Sequence, residues 1–207
     1  MNVTKKTRTL AIAGILTAIT FLLGLTPLGY IPINPALKIT ILCIPVLIGV
    51  LLEGLGVGIW LGFIFGLTSL LQIFMGDVLG LIFIQMSVLK TIAVVFIPRL
   101  LVPVAAYYVY KLIKLIGNKI TDKVGYAIAA FVGSATNTAL FIGFVFLLFG
   151  KNFDDIGSQI SISAEALKGT LTSAIVINGV PEAIAAVIIV TAVCVAVSVF
   201  REKQIKK

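Results

Sequence analysis

Long apolar runs alternate with short polar breaks along the chain. The runs lie at about Leu10–Leu25, Ile39–Glu53, Val57–Met75, Leu89–Ile116, Tyr126–Phe149 and Leu171–Phe200. Most have the length that carries a helix across a hydrocarbon core of about 30 Å at roughly 1.5 Å per residue. Backbone groups in lipid must be satisfied within the protein, so spans are helices or a closed barrel. The runs are continuous and do not alternate with period two, which excludes barrel strands. The pattern predicts an all-α integral membrane protein with six transmembrane helices in one domain over residues 1–207. The second span is short. The fourth is long and holds Pro98 and Pro103, so a kink is expected, with a last turn that leaves the membrane. Gly76–Ser87 is apolar but too short to cross, which suits a re-entrant or interfacial piece.

Composition agrees with this. The 207 residues are 60% hydrophobic and 12% charged, with mean hydropathy +1.19. A soluble domain has about 25% charged residues. The start, "KKTRTLAIAGILTA", has the basic flank of a signal peptide, but its apolar run is too long, so it reads as a retained first helix. The net charge of +8 is distributed unevenly. Lys5, Lys6, Arg8, Lys111, Lys114, Lys119, Lys123, Arg201, Lys203, Lys206 and Lys207 fall on the side holding both termini. Only Lys38, Lys90, Lys151 and Lys168 fall on the other. The bias places both termini in the cytoplasm of a multi-pass cell-membrane protein. It also accounts for the charge without a nucleic-acid partner.

Catalytic chemistry has little to work with. Histidine is absent. Cys43 and Cys194 lie within spans, away from any CxxC, and read as small apolar residues. No HExxH, Gly-x-Ser-x-Gly or phosphate loop occurs. No catalytic residue, metal site or bound cofactor is expected. Uphill transport would draw on an ion gradient or on partner proteins.

Polar residues inside spans are therefore the informative ones. Arg99 and Glu182 are the only ionisable residues deep in spans, about ten and eleven residues from the same face. A charge at the bilayer centre costs at least about 2.5–3.5 kcal/mol, so it faces a partner or a cavity. The two could form an ion pair that locks two helices, or could meet a polar ligand. Asn178 lies four residues before Glu182 on one helical face. In "GSATNTALF", Ser134, Asn137, Thr138 and Phe141 form one stripe, and Thr136 points elsewhere. Thr68, Ser69 and Gln72 end the third span. Each cluster alone suits interhelical hydrogen bonding. Together, with two charges at matching depth, they predict a polar cavity opening outward.

Small residues speak to packing. Gly54, Gly58, Gly62 and Gly66 repeat every fourth position, a strip that admits a neighbouring backbone. Gly14 and Ala18, with Ala11 nearby, form a weaker pattern that could pack internally or receive another subunit. The loop Thr26–Ala36, "TPLGYIPINPA", is stiffened by three prolines and reads as a connector or a lid. Lys151–Gly169 is polar, with a short surface helix expected from an N-cap at Ser163.

The segments "TPLGYIPI", "TILCIPVLIGVLLEGLGVGIWLGFIFGLTSLLQ", "PRLLV", "GSATNTALF" and "NGVPEAIAA" occur in order over about Leu10 to Val190. In that arrangement the chain resembles the S-components, the substrate-binding membrane subunits, of energy-coupling factor transporters, and the pantothenate-specific branch most. That branch often has a histidine before Ile-Pro-Val, where Cys43 stands here. The resemblance implies a six-helix subunit that captures a vitamin near the outer surface. It then joins a transmembrane coupling subunit and two ATPases, which hydrolyse the ATP, and reorients to release its ligand. The first helix would meet the coupling subunit through Ala11, Gly14 and Ala18. The first loop and helices four to six would supply the pocket.

For a pantothenate-like anion the expected contacts are Arg99 to the carboxylate, with Lys38 and Lys90 as rivals. Asn137, Asn178 and Glu182 would bond hydroxyl and amide groups. Asn34, Thr138 and Gln72 complete the candidate set. Folate or another micronutrient is the alternative ligand, although a pterin would want more aromatic stacking than the chain offers. Trp60 lies in the glycine-rich stretch, away from the expected pocket. An autonomous secondary transporter is the other class, and no internal repeat supports it.

Overall fold

The computed structural model describes residues 5–34, 37–115 and 119–205. The helices are α1 (Lys5–Leu25), α2 (Cys43–Glu53), α3 (Leu55–Phe74), α4 (Val78–Met86), α5 (Val88–Lys114), α6 (Lys119–Phe149), α7 (Phe153–Gln159), α8 (Ala164–Ile177) and α9 (Gly179–Ile205). Two strands, β1 (Tyr30–Asn34) and β2 (Leu37–Thr40), stand between α1 and α2. Among the described residues, five helical stretches are long and apolar enough to cross a membrane, and Cys43–Glu53 is a shorter apolar helix. Large apolar side chains such as Leu10, Phe131, Leu147 and Ile188 are exposed on the outside, as a lipid-facing surface requires.

Three boundaries depart from the sequence pattern. The second span does not begin at Ile39. That stretch belongs to an antiparallel hairpin pairing Tyr30 with Thr40 and Ile31 with Ile39, and α2 starts only at Cys43. A short apolar run does not by itself distinguish strand from helix, and the run across Thr40 merged the two. The last span is not continuous either. Pro181 has no N–H for the carbonyl four residues earlier, that of Ile177, and the helix breaks there. Asn178 occupies the break, its N–H bonded to the Ala174 carbonyl and its own carbonyl accepting the Glu182 N–H at 3.1 Å. The polar stretch from Lys151 also holds a helix, α7, whose Phe153 and Ile156 are buried. The expected cap is present: the Ser163 hydroxyl accepts the Ala166 N–H at 3.1 Å. Gly76–Ser87 forms α4, nine residues long, after a turn at Gly76 with φ +110°.

The glycine strip of α3 packs largely on α5. A Cβ at Gly58 would meet Pro103 and Val50, and one at Gly66 would meet the Phe96 ring. At Gly62 it would stand 2.5 Å from the Arg99 carbonyl oxygen. α5 runs on as one helix through both prolines. Each proline withholds an N–H from a carbonyl four residues back. Pro98 frees the carbonyl of Val94, and Pro103 frees that of Arg99, the oxygen that lies on Gly62.

The buried side chains form two main clusters. One, toward the end bearing the termini, includes Leu42, Cys43, Val46, Leu47, Phe65, Val102, Ala130 and Ala186. The other, toward the hairpin end, includes Leu79, Phe83, Val94, Val145, Phe149, Phe153 and Leu171. A third, smaller one joins Ile142 and Ala174.

Candidate functional site

A cavity of about 140 Å³ lies on the hairpin side of the termini-end cluster. Its walls come from the hairpin (Tyr30, Thr40), α3 (Ser69, Gln72), α5 (Thr91, Val94, Arg99), α6 (Asn137, Thr138, Phe141) and α8–α9 (Ala174, Asn178, Glu182). Asp77, Leu79, Gly80 and Phe83 close it from the α4 side. The lining is mixed: polar groups stand among Val94, Val145, Leu171 and Phe83.

Arg99 is set by the local defect in α5. Its Nη1 donates to the Val94 carbonyl at 3.2 Å, the acceptor that Pro98 released. The guanidinium carbon lies 5.2 Å from the centre of Phe65 and 4.9 Å from that of Phe141, within cation–π range. Arg99 is only 7% exposed, and its Nε has no hydrogen-bond partner. No ion pair joins it to Glu182 among the described residues. The helix-locking pair is therefore absent, although the two charges interact at longer range.

Glu182 is instead tied to the hairpin. Its Oε1 accepts the Thr40 N–H at 2.6 Å, and Thr138 lines the same cavity. A break in the helix just before Glu182 puts its carboxylate in the first turn of α9, where a negative charge is favoured. Asn137 is buried at 4% exposure, and its Oδ1 has no partner. An unpartnered donor, Arg99 Nε, and an unpartnered acceptor, Asn137 Oδ1, thus share one cavity. Buried polar atoms are seldom left unpaired, so water or a bound molecule is expected to complete the bonding here.

Of the residues anticipated from sequence, Arg99, Asn137, Thr138, Asn178, Glu182 and Gln72 line the cavity together. Gln72 also ties α3 to the end of α1, its Nε2 donating to the Gly24 carbonyl at 2.8 Å. Asn34 and Lys38 sit in the hairpin strands, and their side chains lie outside the described residues. Lys90 is not in the cavity. Its Nζ donates to the Leu148 carbonyl at 3.1 Å and lies over Phe149, capping the end of α6. It is near the start of α5, about two and a half turns before Arg99, which removes it as a rival cation. The stripe in GSATNTALF divides: Asn137, Thr138 and Phe141 reach the cavity, while Ser134 is fully buried beneath it beside Cys43. Gly133 admits Leu47 of α2.

Tyr30, Thr40, Asp77 and Thr91 were not anticipated. Tyr30 hydrogen-bonds Ser69 at 2.8 Å, and burial raises its phenol above the usual value, so it stays protonated at neutral pH. The signal available for Tyr30 was its place in a proline-stiffened loop. Thr40 contributes a backbone N–H, which no side-chain pattern reveals.

A buried cation, orphan polar atoms and apolar walls, held among membrane helices, define a binding protein for a small polar molecule. Residues 8–194 match the family described as "ECF transporter, substrate-specific component", and the chain belongs to that family. Its class is accordingly transport rather than catalysis, in a multi-pass membrane protein. Among curated proteins, the pantothenic acid transporter PanT of Lactococcus lactis subsp. cremoris (strain MG1363) is 32% identical over 182 residues. The match covers 84% of this chain and 82% of that protein.

Proposed function

We propose that this chain is the pantothenate-capturing S-component of an ATP-driven importer. In this reading one transmembrane domain crosses the membrane six times with both termini in the cytoplasm, as the lysine and arginine bias favours. The cavity faces outward, and Ala11, Gly14 and Ala18 meet a transmembrane coupling subunit. Two partner ATPases hydrolyse the ATP, and this chain binds no cofactor. Pantothenate is a carboxylate with an amide and two hydroxyls, small enough for a compact site.

The observation that carries the ligand is Arg99. A buried guanidinium held by one carbonyl and two ring faces has the Glu182 and Asp77 carboxylates only at longer range, so an anion that contacts it directly is the fitting ligand. Arg99 would take the carboxylate, with Asn137, Asn178 and Glu182 bonding the amide and hydroxyl groups. Thr138 and Gln72 complete this set, and Asn34 and Lys38 adjoin it through the hairpin. The name of the Lactococcus relative supports the same choice. The buried apolar floor beneath the cavity favours a partnered subunit over a chain that conducts its ligand through itself.

Calorimetric titration of the purified chain with pantothenate tests the reading. Binding well below about 100 μM is expected, and its absence at that level would overturn the pantothenate assignment. The primary amide of pantothenate supplies the charge control. It should bind wild type far more weakly than the acid. Equal affinity for acid and amide would remove Arg99 as the carboxylate partner.

A further inference from the structure

At the end opposite the cavity, three elements meet on one carboxylate. Glu53 ends α2, and its side chain is 3% exposed. Gly54 follows at φ +95° and starts the turn into α3, so the bend is a single residue. That turn holds Glu53 inside the bundle rather than in a loop. Its Oε1 pairs with Arg201 of α9, and Oε2 accepts the Thr9 hydroxyl of α1 at 2.5 Å. Arg201 also donates to the Leu52 carbonyl at 3.0 Å. The cavity uses none of these groups.

α1 otherwise has a weak hold on the bundle. Leu10, Ile15 and Leu22 are exposed by 74%, 61% and 59%, and among the described residues of α1 only Leu16, Thr20 and Gly24 are buried. At about 100° per residue, Ala11, Gly14 and Ala18 lie roughly 140° to 200° around the helix from Thr9. The small-residue face is thus opposite the Thr9 hydroxyl, and all three of its residues are exposed. Two further polar tethers act on the same helix, Trp60 Nε1 to the Thr17 hydroxyl at 3.0 Å and Gln72 Nε2 to the Gly24 carbonyl at 2.8 Å. A helix in lipid gains no hydrophobic energy from choosing one rotation, so directed polar bonds decide it.

We infer that Glu53 is a positioning residue that fixes the rotation of α1, and so aims its small-residue face at a helical membrane partner. The inference rests on the proposed reading that this face meets the coupling subunit. Glu53 acts through Thr9 and touches neither ligand nor partner.

The test co-expresses the full chain with the coupling subunit and both ATPases of the energy-coupling module from the same cell. Thr9→Val removes the hydroxyl and leaves the Glu53–Arg201 pair intact; Thr9→Ser restores the hydroxyl. Pantothenate titration of each isolated variant reports that the fold and cavity persist. Expected is about a tenfold loss of coupling subunit recovered per folded Thr9→Val chain, the scale of one hydrogen bond to a charged group. Ligand affinity should not change, and Thr9→Ser should recover near wild type. Glu53→Gln should show at least the same loss. Wild-type recovery with Thr9→Val would overturn the role of Glu53, as would equal losses of recovery and ligand affinity, which mark a merely structural clamp. Gly14→Leu separates the premise. If it leaves recovery intact, the face does not meet the partner, and the docking reading falls together with this inference.

Discussion

Gly62→Ala is a sharp test of how the site is built. In an exposed helix, Gly to Ala is stabilising by up to about 1 kcal/mol, because alanine loses less entropy. Here the new Cβ would stand 2.5 Å from the Arg99 carbonyl oxygen, 3.3 Å from its carbon and 3.5 Å from Pro103 Cγ. Ordinary contact begins near 3.4 Å, so α3 and α5 must part by about 0.9 Å. The obstacle is backbone and cannot swing aside. Overpacking of this kind costs about 1–3 kcal/mol, more than propensity returns. The shift also carries the Arg99 guanidinium with it, away from the Phe65 ring of α3. Thermal unfolding in detergent should fall by several degrees, and pantothenate affinity should drop by about tenfold or more. Gly56→Ala, in the same helix with nothing within 4 Å, is the matched control and should melt at or above wild type. If Gly62→Ala melts with Gly56→Ala and binds like wild type, the close α3–α5 approach is not what places Arg99.

Arg99→Gln should weaken pantothenate binding by about 30-fold or more, since truncating one side of a buried charged contact costs roughly 2–5 kcal/mol. The same variant should nearly abolish the preference for acid over amide, measured by parallel titrations. Tyr30→Phe removes the bond to Ser69 and should destabilise by about 0.5–1.5 kcal/mol, read as a lower melting temperature without loss of the hairpin. Ser163→Ala deletes the α8 cap and should cost about 1 kcal/mol in thermal unfolding, with ligand affinity unchanged because Ser163 is not a cavity residue.

Much of the site was legible because lipid penalises polar groups. Arg99 and Glu182 stood out by burial in apolar runs, and helical spacing joined Asn137 and Thr138 to them. The side chains that reach the cavity through regular helix geometry were accessible to that logic. The hairpin was not, since Ile39 and Thr40 satisfy helix and strand patterns equally, and strand pairing depends on partners eight and ten residues away. An Arg99–Glu182 ion pair was one of the two readings that matching depth allowed. Depth says nothing of rotation or of competing partners, and here the Thr40 N–H and the Val94 carbonyl claim the two groups. Lys90 had the right end of the right helix but the wrong height. The break at Asn178 was present in sequence as Pro181, whose missing N–H acts four residues upstream of where the eye rests.

The proline before Arg99 carries a lesson for redesign. The Val94 carbonyl is an acceptor created by Pro98 and occupied by Arg99 Nη1. Replacing the arginine to admit a neutral ligand would strand that oxygen in an apolar wall. A change of ligand class therefore calls for a coupled substitution, with Pro98→Ala closing the helix as Arg99 is removed. Specificity at this site is written across two adjacent codons, and a library that varies side chains alone would sample mostly frustrated combinations.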